Sequence, residues 1–371
     1  MLNLKALFRR KPKILILVNL IQDLDILLPL SLAFSEFLAV DFDIAVIDRA
    51  WNESPRIERL LLQAGITPKR VARAAVITGL QPSLTGVKAL ITASESNSGP
   101  HRAAYELTQR ANHLKIATFT LQHGFENVGL TYSNDTYPVE ASHFASQTIF
   151  IWGGLETLHP DIPEATRKKC IAVGCPKYVK PPDAKLTFTH SRSQLIVVFE
   201  NLHWERYDDS YRSNFLVDVN RTAHQFPQIT FLVKPHHAGR WLTERHGGER
   251  PRADNLVIAD PLDPQWEGFT APALLEIADA AITTPSTVAL DAARLQRPVA
   301  VVGYDMDLAK YQPLPTFRQS RDWIEWIDRL HTIEGYSTLQ QAGQNFLQRQ
   351  VVPGDAVSHI VRQVVDQIKR A

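Results

Sequence analysis

The sequence predicts an α/β protein made of two doubly wound, Rossmann-like domains that face a cleft. Short apolar runs alternate with helix-forming stretches through most of the 371 residues, which is the pattern of parallel sheets covered by helices. A polar, proline-bearing stretch at residues 177–193 separates two series of such runs. A chain of this length also suggests about two domains of roughly 150 residues each.

Six apolar runs in the first half are predicted to be parallel strands. They lie at residues 13–18, 42–47, 89–92, 116–121, 148–152 and 171–173. Helical stretches, including residues 56–62 and 102–113, lie between them. Alternation of this kind predicts one βαβ domain, with expected bounds 1–180.

The second half repeats the pattern. Its predicted strands lie at residues 194–199, 229–233, 255–258, 280–283 and 298–302. Helical signals dominate after Arg318 and end with residues 356–369. We therefore expect a second domain at residues 190–352, followed by a C-terminal helix at 353–371 that packs back on the first domain.

Composition excludes several classes of protein. The net charge of +1 gives no basic surface of the kind that nucleic-acid binding requires, so nucleic acid is not an expected partner. Two cysteines, Cys170 and Cys175, are expected to be reduced thiols in a cytoplasmic protein. No run approaches the ~20 apolar residues of a membrane span, and no secretory signal is recognised, so a soluble protein is expected.

The first residues of the chain leave two interpretations open. Residues 2–11 are basic and amphipathic, which suits a short helix lying on an anionic membrane surface at the inner face of the membrane. The same residues suit a frayed, solvated terminus equally well. Membrane attachment, if present, is expected to be peripheral.

Polar residues follow two predicted strands of the second half. Lys234, His236 and His237 come after one strand, and the segment Thr283–Thr287 comes after another. The carboxyl ends of parallel strands share one edge of a sheet, where α/β folds bind ligands. Lysine and histidine there suit a phosphate group, so Lys234 and His236 are candidate phosphate ligands, and Lys234 is a candidate for stabilising a leaving group.

The segment after the second of these strands also opens a predicted helix at residues 288–295. Ser286 and Thr287 precede that helix, and free amides with hydroxyl groups at a helix N-terminus attract anions. Thr284 belongs to the same candidate site, and Asp291, one turn into the helix, suits ribose hydroxyl groups. A simple helix cap at Ser286 and a solvated carboxylate at Asp291 are the competing interpretations.

Two further segments carry candidate site residues. Glu200 and Asn201 follow the strand at 194–199 and are predicted to bind a base or a sugar. In the first half, His123 ends the strand at 116–121 and could take a proton near neutral pH. Glu126 could take the proton instead or orient the histidine, and a purely structural His123 stays open. No metal-ligand pattern accompanies these residues, so neither a metal nor a cofactor is expected.

At these positions the chain resembles the GT-B glycosyltransferases of bacterial surface-polysaccharide synthesis. The segment Lys234–His236 resembles the His-Pro type motif of sialyltransferases and Kdo transferases, and Ser286–Ala292 resembles their Ser-Ser/Thr motif. Gln122–Phe125 resembles the acidic Glu-Asp-Gly-Phe segment of capsule Kdo transferases, with histidine in place of a carboxylate. It also resembles the His-Gly segment of CDP-glycerol glycerophosphotransferases.

The resemblance implies a metal-independent glycosyltransferase. Kdo or a sialic-acid-like sugar would pass from a CMP-activated donor, bound by the second domain, to a glycan or lipid-linked acceptor on the first. His123 or Glu126 would be the base. The alternatives are a CDP-polyol phosphotransferase, a nucleotide-sugar epimerase and a non-catalytic nucleotide-sugar-binding protein.

Overall fold

The computed structural model describes residues 11–36, 40–177, 194–236, 239–266 and 269–370. Residues 2–10 of the predicted basic helix, residues 178–193 of the predicted linker, and His237 lie outside the described residues. The chain divides into two compact units. Unit 1 comprises Met1–Tyr178 and Gln350–Ala371, and unit 2 comprises Val179–Arg349.

Thirteen strands lie in the described residues. They are β1 Lys13–Val18, β2 Asp41–Ile47, β3 Lys69–Val71, β4 Val87–Thr92, β5 Ala117–Leu121, β6 Thr148–Ile151, β7 Cys170–Ala172, β8 Gln194–Glu200, β9 Ile229–Pro235, β10 Leu256–Ile258, β11 Ala280–Thr283, β12 Val299–Val302 and β13 Thr316–Phe317. Two of them, β3 and β13, are short and were not predicted. Strand β3 begins with two charged residues, and β13 has only two residues, so neither gives an apolar run in the sequence.

Twelve α-helices of the described residues connect or follow the strands. They are α1 Asp23–Glu36, α2 Asp48–Glu53, α3 Pro55–Gln63, α4 Arg73–Ile77, α5 Arg102–His113, α6 Glu164–Arg167, α7 Asp209–Gln225, α8 Ala271–Ile277, α9 Val288–Arg294, α10 Ser320–Leu330, α11 Ile333–Gln350 and α12 Ala356–Arg370. The α/β class and the two parallel sheets predicted from alternation are confirmed.

Unit 1 contains a seven-stranded parallel sheet in the order β3-β2-β1-β4-β5-β6-β7. The order reverses direction between β1 and β4. These two central strands are buried except at Lys13 and Lys88. Helix α12 packs on α1 within this unit, and the amide of Val352 donates to the Trp152 carbonyl at 2.9 Å. The last helix of the chain therefore completes the first sheet's unit.

Unit 2 contains a six-stranded parallel sheet in the order β10-β9-β8-β11-β12-β13. Here the order reverses between β8 and β11, where Ile196 and Val198 lie beside Ala280 and Ile282 in the core. Helices α7 and α10 cover this core with Phe215 and Trp323, whose ring centroids are 5.9 Å apart. Open α/β sheets bind ligands outside the carboxyl ends of the strands at such a reversal. The residues after β8 and β11 are therefore candidate ligand-binding residues.

Candidate functional site

The carboxyl edge of the unit 2 sheet is tied together where the strand order reverses. Asn201, after β8, and Thr284, after β11, form two mutual hydrogen bonds: the Asn201 amide donates to Thr284 Oγ1 at 3.2 Å, and the Thr284 hydroxyl donates to Asn201 Oδ1 at 2.5 Å. Asn201 Nδ2 also donates to the Pro285 carbonyl, and the Tyr207 hydroxyl donates to Asn201 Oδ1. Both predicted site residues are buried, and these hydrogen bonds hold the loop that leads to Ser286, while their contact with a ligand remains a prediction.

The predicted cap at the start of α9 is carried by Ser286. Its hydroxyl oxygen accepts a hydrogen bond from the Val288 amide at 3.1 Å and lies 3.1 Å from the Thr283 hydroxyl. Thr287 has helical backbone angles, and its side chain makes no capping hydrogen bond. Ser286 and Thr287 are both partly exposed, whereas Asp291 is only 1% exposed. The contact of Asp291 with ribose remains a prediction, and its burial does not favour that contact.

Lys234 and His236 lie at the same edge of unit 2, at and just beyond the end of β9. Lys234 pairs in register with Phe199, the residue before Glu200. Burial lowers the pKa of Lys234 to about 8, an effect that the charge of Asp260 partly offsets. Its ammonium group is therefore mostly protonated at neutral pH and can neutralise a phosphate.

His236 lies against a second imidazole. The ring centroids of His203 and His236 are 4.6 Å apart, and a Cβ at Gly239 would lie 2.1 Å from Cγ of His203. Only glycine permits that close approach. His203 was not predicted as a site residue. Its position in the polar segment that follows β8 is the feature of the sequence that could have indicated it.

Glu200 ends β8 and is 3% exposed. Its Oε2 accepts a hydrogen bond from the Leu202 amide at 2.7 Å, while Oε1 has no hydrogen-bond partner among the described residues. Burial raises the pKa of Glu200 to about 7, against the opposing effect of the Leu202 and Leu242 amides. The carboxyl group is thus close to half protonated at neutral pH.

In unit 1, His123 follows β5, as predicted. The ring donates a hydrogen bond to the Ala93 carbonyl, and Nδ1 is buried without a hydrogen-bond partner among the described residues. The donating nitrogen is therefore Nε2, which leaves a lone pair on Nδ1. Burial lowers the pKa of His123 to about 4, so the ring is neutral at pH 7. Glu126 is partly exposed three residues later, and its role as a base remains a prediction.

A second histidine, His101, touches His123 at the same edge. The two rings meet edge to face, with centroids 5.2 Å apart and an angle of 86° between their planes. His101 Nδ1 lies 2.8 Å from the Ser96 hydroxyl, and burial lowers the pKa of His101 to about 3. His101 was missed in the sequence because nothing in the local pattern links it to a residue on another strand's loop.

Buried carboxylates brace the loops of this edge. Asp23, at the start of α1, accepts hydrogen bonds from the amides of Asn19 and Leu20 and from the Ser94 hydroxyl. Burial raises its pKa to about 6. Glu95 accepts from the Ala145 amide at 2.7 Å and from the Ser146 hydroxyl at 2.7 Å. Neither carboxylate was predicted as a site residue. Both hold the loops after β1 and β4 in place through these hydrogen bonds.

Within the described ranges, no group of three or more histidine, cysteine, aspartate or glutamate side chains is arranged to hold a metal ion. Among the helices described, none combines the length and the apolar character needed to cross a membrane.

Several solved structures have the same fold as this chain. One UDP-N-acetylglucosamine 2-epimerase is 14% identical, with a TM-score of 0.67 over 98% of each chain. The epimerase from Neisseria meningitidis, bound to UDP-GlcNAc, is 13% identical, with a TM-score of 0.64 over 95% of this chain and 100% of its own. The wall teichoic acid polymerase TagF is 11% identical, with a TM-score of 0.60 over 97% of this chain and 89% of its own.

The chain has a GT-B-like fold. Identities below 15% establish the fold alone. No protein-family model matches the chain, and no curated protein matches its sequence. A kinship with Kdo transferases or sialyltransferases in particular is not supported by these structures.

The expected function needs correction. The similar structures are mostly UDP-N-acetylglucosamine 2-epimerases, so the expectation of a CMP-dependent glycosyltransferase for Kdo or a sialic-acid-like sugar was wrong. The motifs that carried the resemblance to Kdo transferases and sialyltransferases comprise only about a dozen loosely matching residues. Similar polar residues follow strands in many proteins with this kind of sheet. Among the alternatives drawn from the sequence, the nucleotide-sugar epimerase fits the similar structures better.

Proposed function

We propose that the protein is an enzyme that binds a UDP-activated N-acetylhexosamine and inverts its configuration at C2. The observation that carries this proposal is the end-to-end correspondence with structures of UDP-N-acetylglucosamine 2-epimerases, which cover 95–98% of this chain. The residues at the carboxyl edges of the two sheets supply the chemistry that such a reaction needs.

Unit 2 binds the nucleotide. Lys234 and His236 carry donors for the diphosphate oxygens, and the partly exposed Thr287 lies at the start of α9. The buried pair Asn201 and Thr284 holds this loop in place. A cation and fixed donors stabilise the negative charge of a diphosphate without a metal ion.

Unit 1 moves the proton. His123 presents a neutral imidazole whose Nδ1 lone pair is not used by any described residue. A neutral imidazole can accept a proton at physiological pH, and the lowered pKa of His123 limits its strength as a base. Glu126, partly exposed on the same loop, is the proposed second acid–base group.

The reaction proceeds through loss and return of UDP. The C2 hydrogen of a sugar is hardly acidic, so its removal becomes feasible when the C1–O bond to the diphosphate breaks in the same step. His123 accepts the proton, the electron pair of the C2–H bond forms a C1=C2 double bond, and UDP leaves with the electrons of the C1–O bond. Return of UDP to C1 and of a proton to the opposite face of C2 gives the epimer.

A direct test supplies UDP-N-acetylglucosamine alone, in heavy water, and follows the sugar by proton NMR. We expect a second UDP-sugar to accumulate, with deuterium at C2 in both epimers because the proton is exchanged with solvent. If the protein binds UDP in a thermal-shift assay but forms neither the epimer nor a deuterated sugar, it is a binding protein without this activity.

Transfer of a polyol phosphate from a CDP donor is the second candidate. It is favoured by the similarity to TagF, one of whose structures was soaked with CDPG, and by the His-Gly pair at His123 and Gly124. This activity needs an acceptor, whereas epimerisation needs none. Release of CMP from CDP-glycerol only when an acceptor is added, with UDP-N-acetylglucosamine left unchanged, would select the second candidate.

A further inference from the structure

The edge of unit 1 contains an anchored pair of imidazoles, of which the proposed reaction uses only one. His101 is 8% exposed and precedes α5, while His123 follows β5. Their rings are nearly perpendicular, at 86°, with centroids 5.2 Å apart. A ring packed in this way restricts rotation of its neighbour about the Cβ–Cγ bond.

The His101 ring is itself fixed by a short chain of hydroxyl groups. Its Nδ1 lies 2.8 Å from Ser96 Oγ, which lies 3.0 Å from Ser98 Oγ and accepts a weak hydrogen bond from the Ser98 amide. Ser96 is fully buried in the loop after β4. That loop also carries Ala93, whose carbonyl accepts from His123. One loop therefore positions both rings.

We propose that His101 is a positioning residue for His123: held by Ser96, it keeps the His123 ring edge-on in the orientation that commits Nε2–H to the Ala93 carbonyl and leaves Nδ1 with its lone pair for the substrate. His101 does not touch the substrate in this role. The inference rests on the proposed function of His123, but the orientation and tautomer of His123 are properties of the protein without substrate.

The test uses protein with nitrogen-labelled histidine and two variants. His101→Phe keeps an aromatic ring but loses the nitrogen that Ser96 anchors, and Ser96→Ala removes the anchor alone. Thr108→Val is the matched control, because Thr108 is a fully buried hydroxyl on α5 whose hydrogen bond, to the Ala104 carbonyl at 2.8 Å, stays within its own helix. The nitrogen signals of His123 are assigned by their loss in His123→Gln.

In the wild type and in Thr108→Val, we expect His123 to show one unprotonated Nδ1 and one protonated Nε2. In His101→Phe and Ser96→Ala, the two nitrogen signals should move towards the averaged values of a ring that exchanges between tautomers. With UDP-N-acetylglucosamine, kcat should fall by about tenfold or more while KM changes by less than about twofold, as expected when a reacting group is misplaced.

An unchanged His123 spectrum in a folded His101→Phe protein would overturn the proposal, whatever the activity. If His101→Phe does not fold, Ser96→Ala decides the question, since loss of one buried hydroxyl perturbs the fold less than replacement of a buried ring. If the wild type shows no epimerisation at all, the proposed function fails, and the spectra still test the positioning role.

Discussion

Asn201 and Thr284 exchange two hydrogen bonds across the reversal in strand order of the second sheet, although 83 residues separate them in the chain. The same Thr284 follows the strand that leads to Ser286, so the pair couples the end of β8 to the start of α9. The Thr284 hydroxyl therefore helps to hold the loop at the proposed diphosphate site, together with the bond from Asn201 Nδ2 to the Pro285 carbonyl.

Thr284→Val should weaken both folding and nucleotide binding. The variant leaves the Asn201 amide without its acceptor in a buried position, so we expect a loss of about 1–3 kcal/mol in the free energy of unfolding. UDP affinity, measured by calorimetry, should fall as well because the loop before Ser286 loses its brace. Thr108→Val in unit 1 also removes a buried hydroxyl, but the Ala104 carbonyl keeps its helical hydrogen bond, so this variant should lose less stability and keep its UDP affinity. Equal UDP affinities in the two variants would contradict a role for this pair at the site.

His123→Gln should abolish epimerisation and spare nucleotide binding. Glutamine is polar and of similar size but cannot act as a base, so kcat should fall by a factor of about 100 or more, as for other general bases. Deuterium incorporation at C2 should stop with it. His113→Gln, an exposed position at the end of α5, is the control and should react normally. Normal turnover by His123→Gln would exclude His123 as the base.

UDP binding should weaken as the pH rises through about 8, because burial sets the pKa of Lys234 near that value. Below this pH the ammonium group is charged and attracts the diphosphate, and above it the charge is lost, while UDP remains anionic throughout. Calorimetric titrations at pH 7 and pH 9 would measure the change. In Lys234→Met the affinity should be lower at pH 7 and flat across the range, whereas the exposed Lys88→Met should behave like the wild type.

Glu200 should make the protein less stable as the pH rises from about 4.5 to about 7. The folded state holds the proton up to about pH 7, and the unfolded chain releases it near 4.5, so over this window folded protein binds more protons and its free energy of unfolding falls. The full effect of such a shift is about 3 kcal/mol.

Glu200→Gln should remove that slope, as measured by urea denaturation at pH 5 and pH 7. Asp23, whose pKa is raised to about 6, contributes a slope of the same sign in both proteins, so the difference between them isolates Glu200. A wild-type slope equal to that of the variant would mean that Glu200 ionises normally in the folded protein.

Much of the fold was predictable because its strands and helices follow from local hydrophobic patterns in the sequence. Apolar runs such as Lys13–Val18 and Gln194–Glu200 specify buried strands, and the stretches between them specify helices. Position after a strand was likewise predictable for His123 and His236, whereas Lys234, predicted to follow its strand, lies within β9, which extends to Pro235. The specific function was not predictable in this way, because loose motifs at strand ends are compatible with many enzymes that share the fold.

The sequence by itself determined the α/β class, the two sheets and the polar residues that follow their strands, because hydrophobic periodicity acts over a few residues. Only the tertiary structure decided which of those residues meet: His101 with His123, Asn201 with Thr284, and His203 with His236. It also decided that Asp291 is buried and that the pKa of Glu200 lies near 7. Strand order and burial, which arise from contacts between distant parts of the chain, set both the partners and the protonation states.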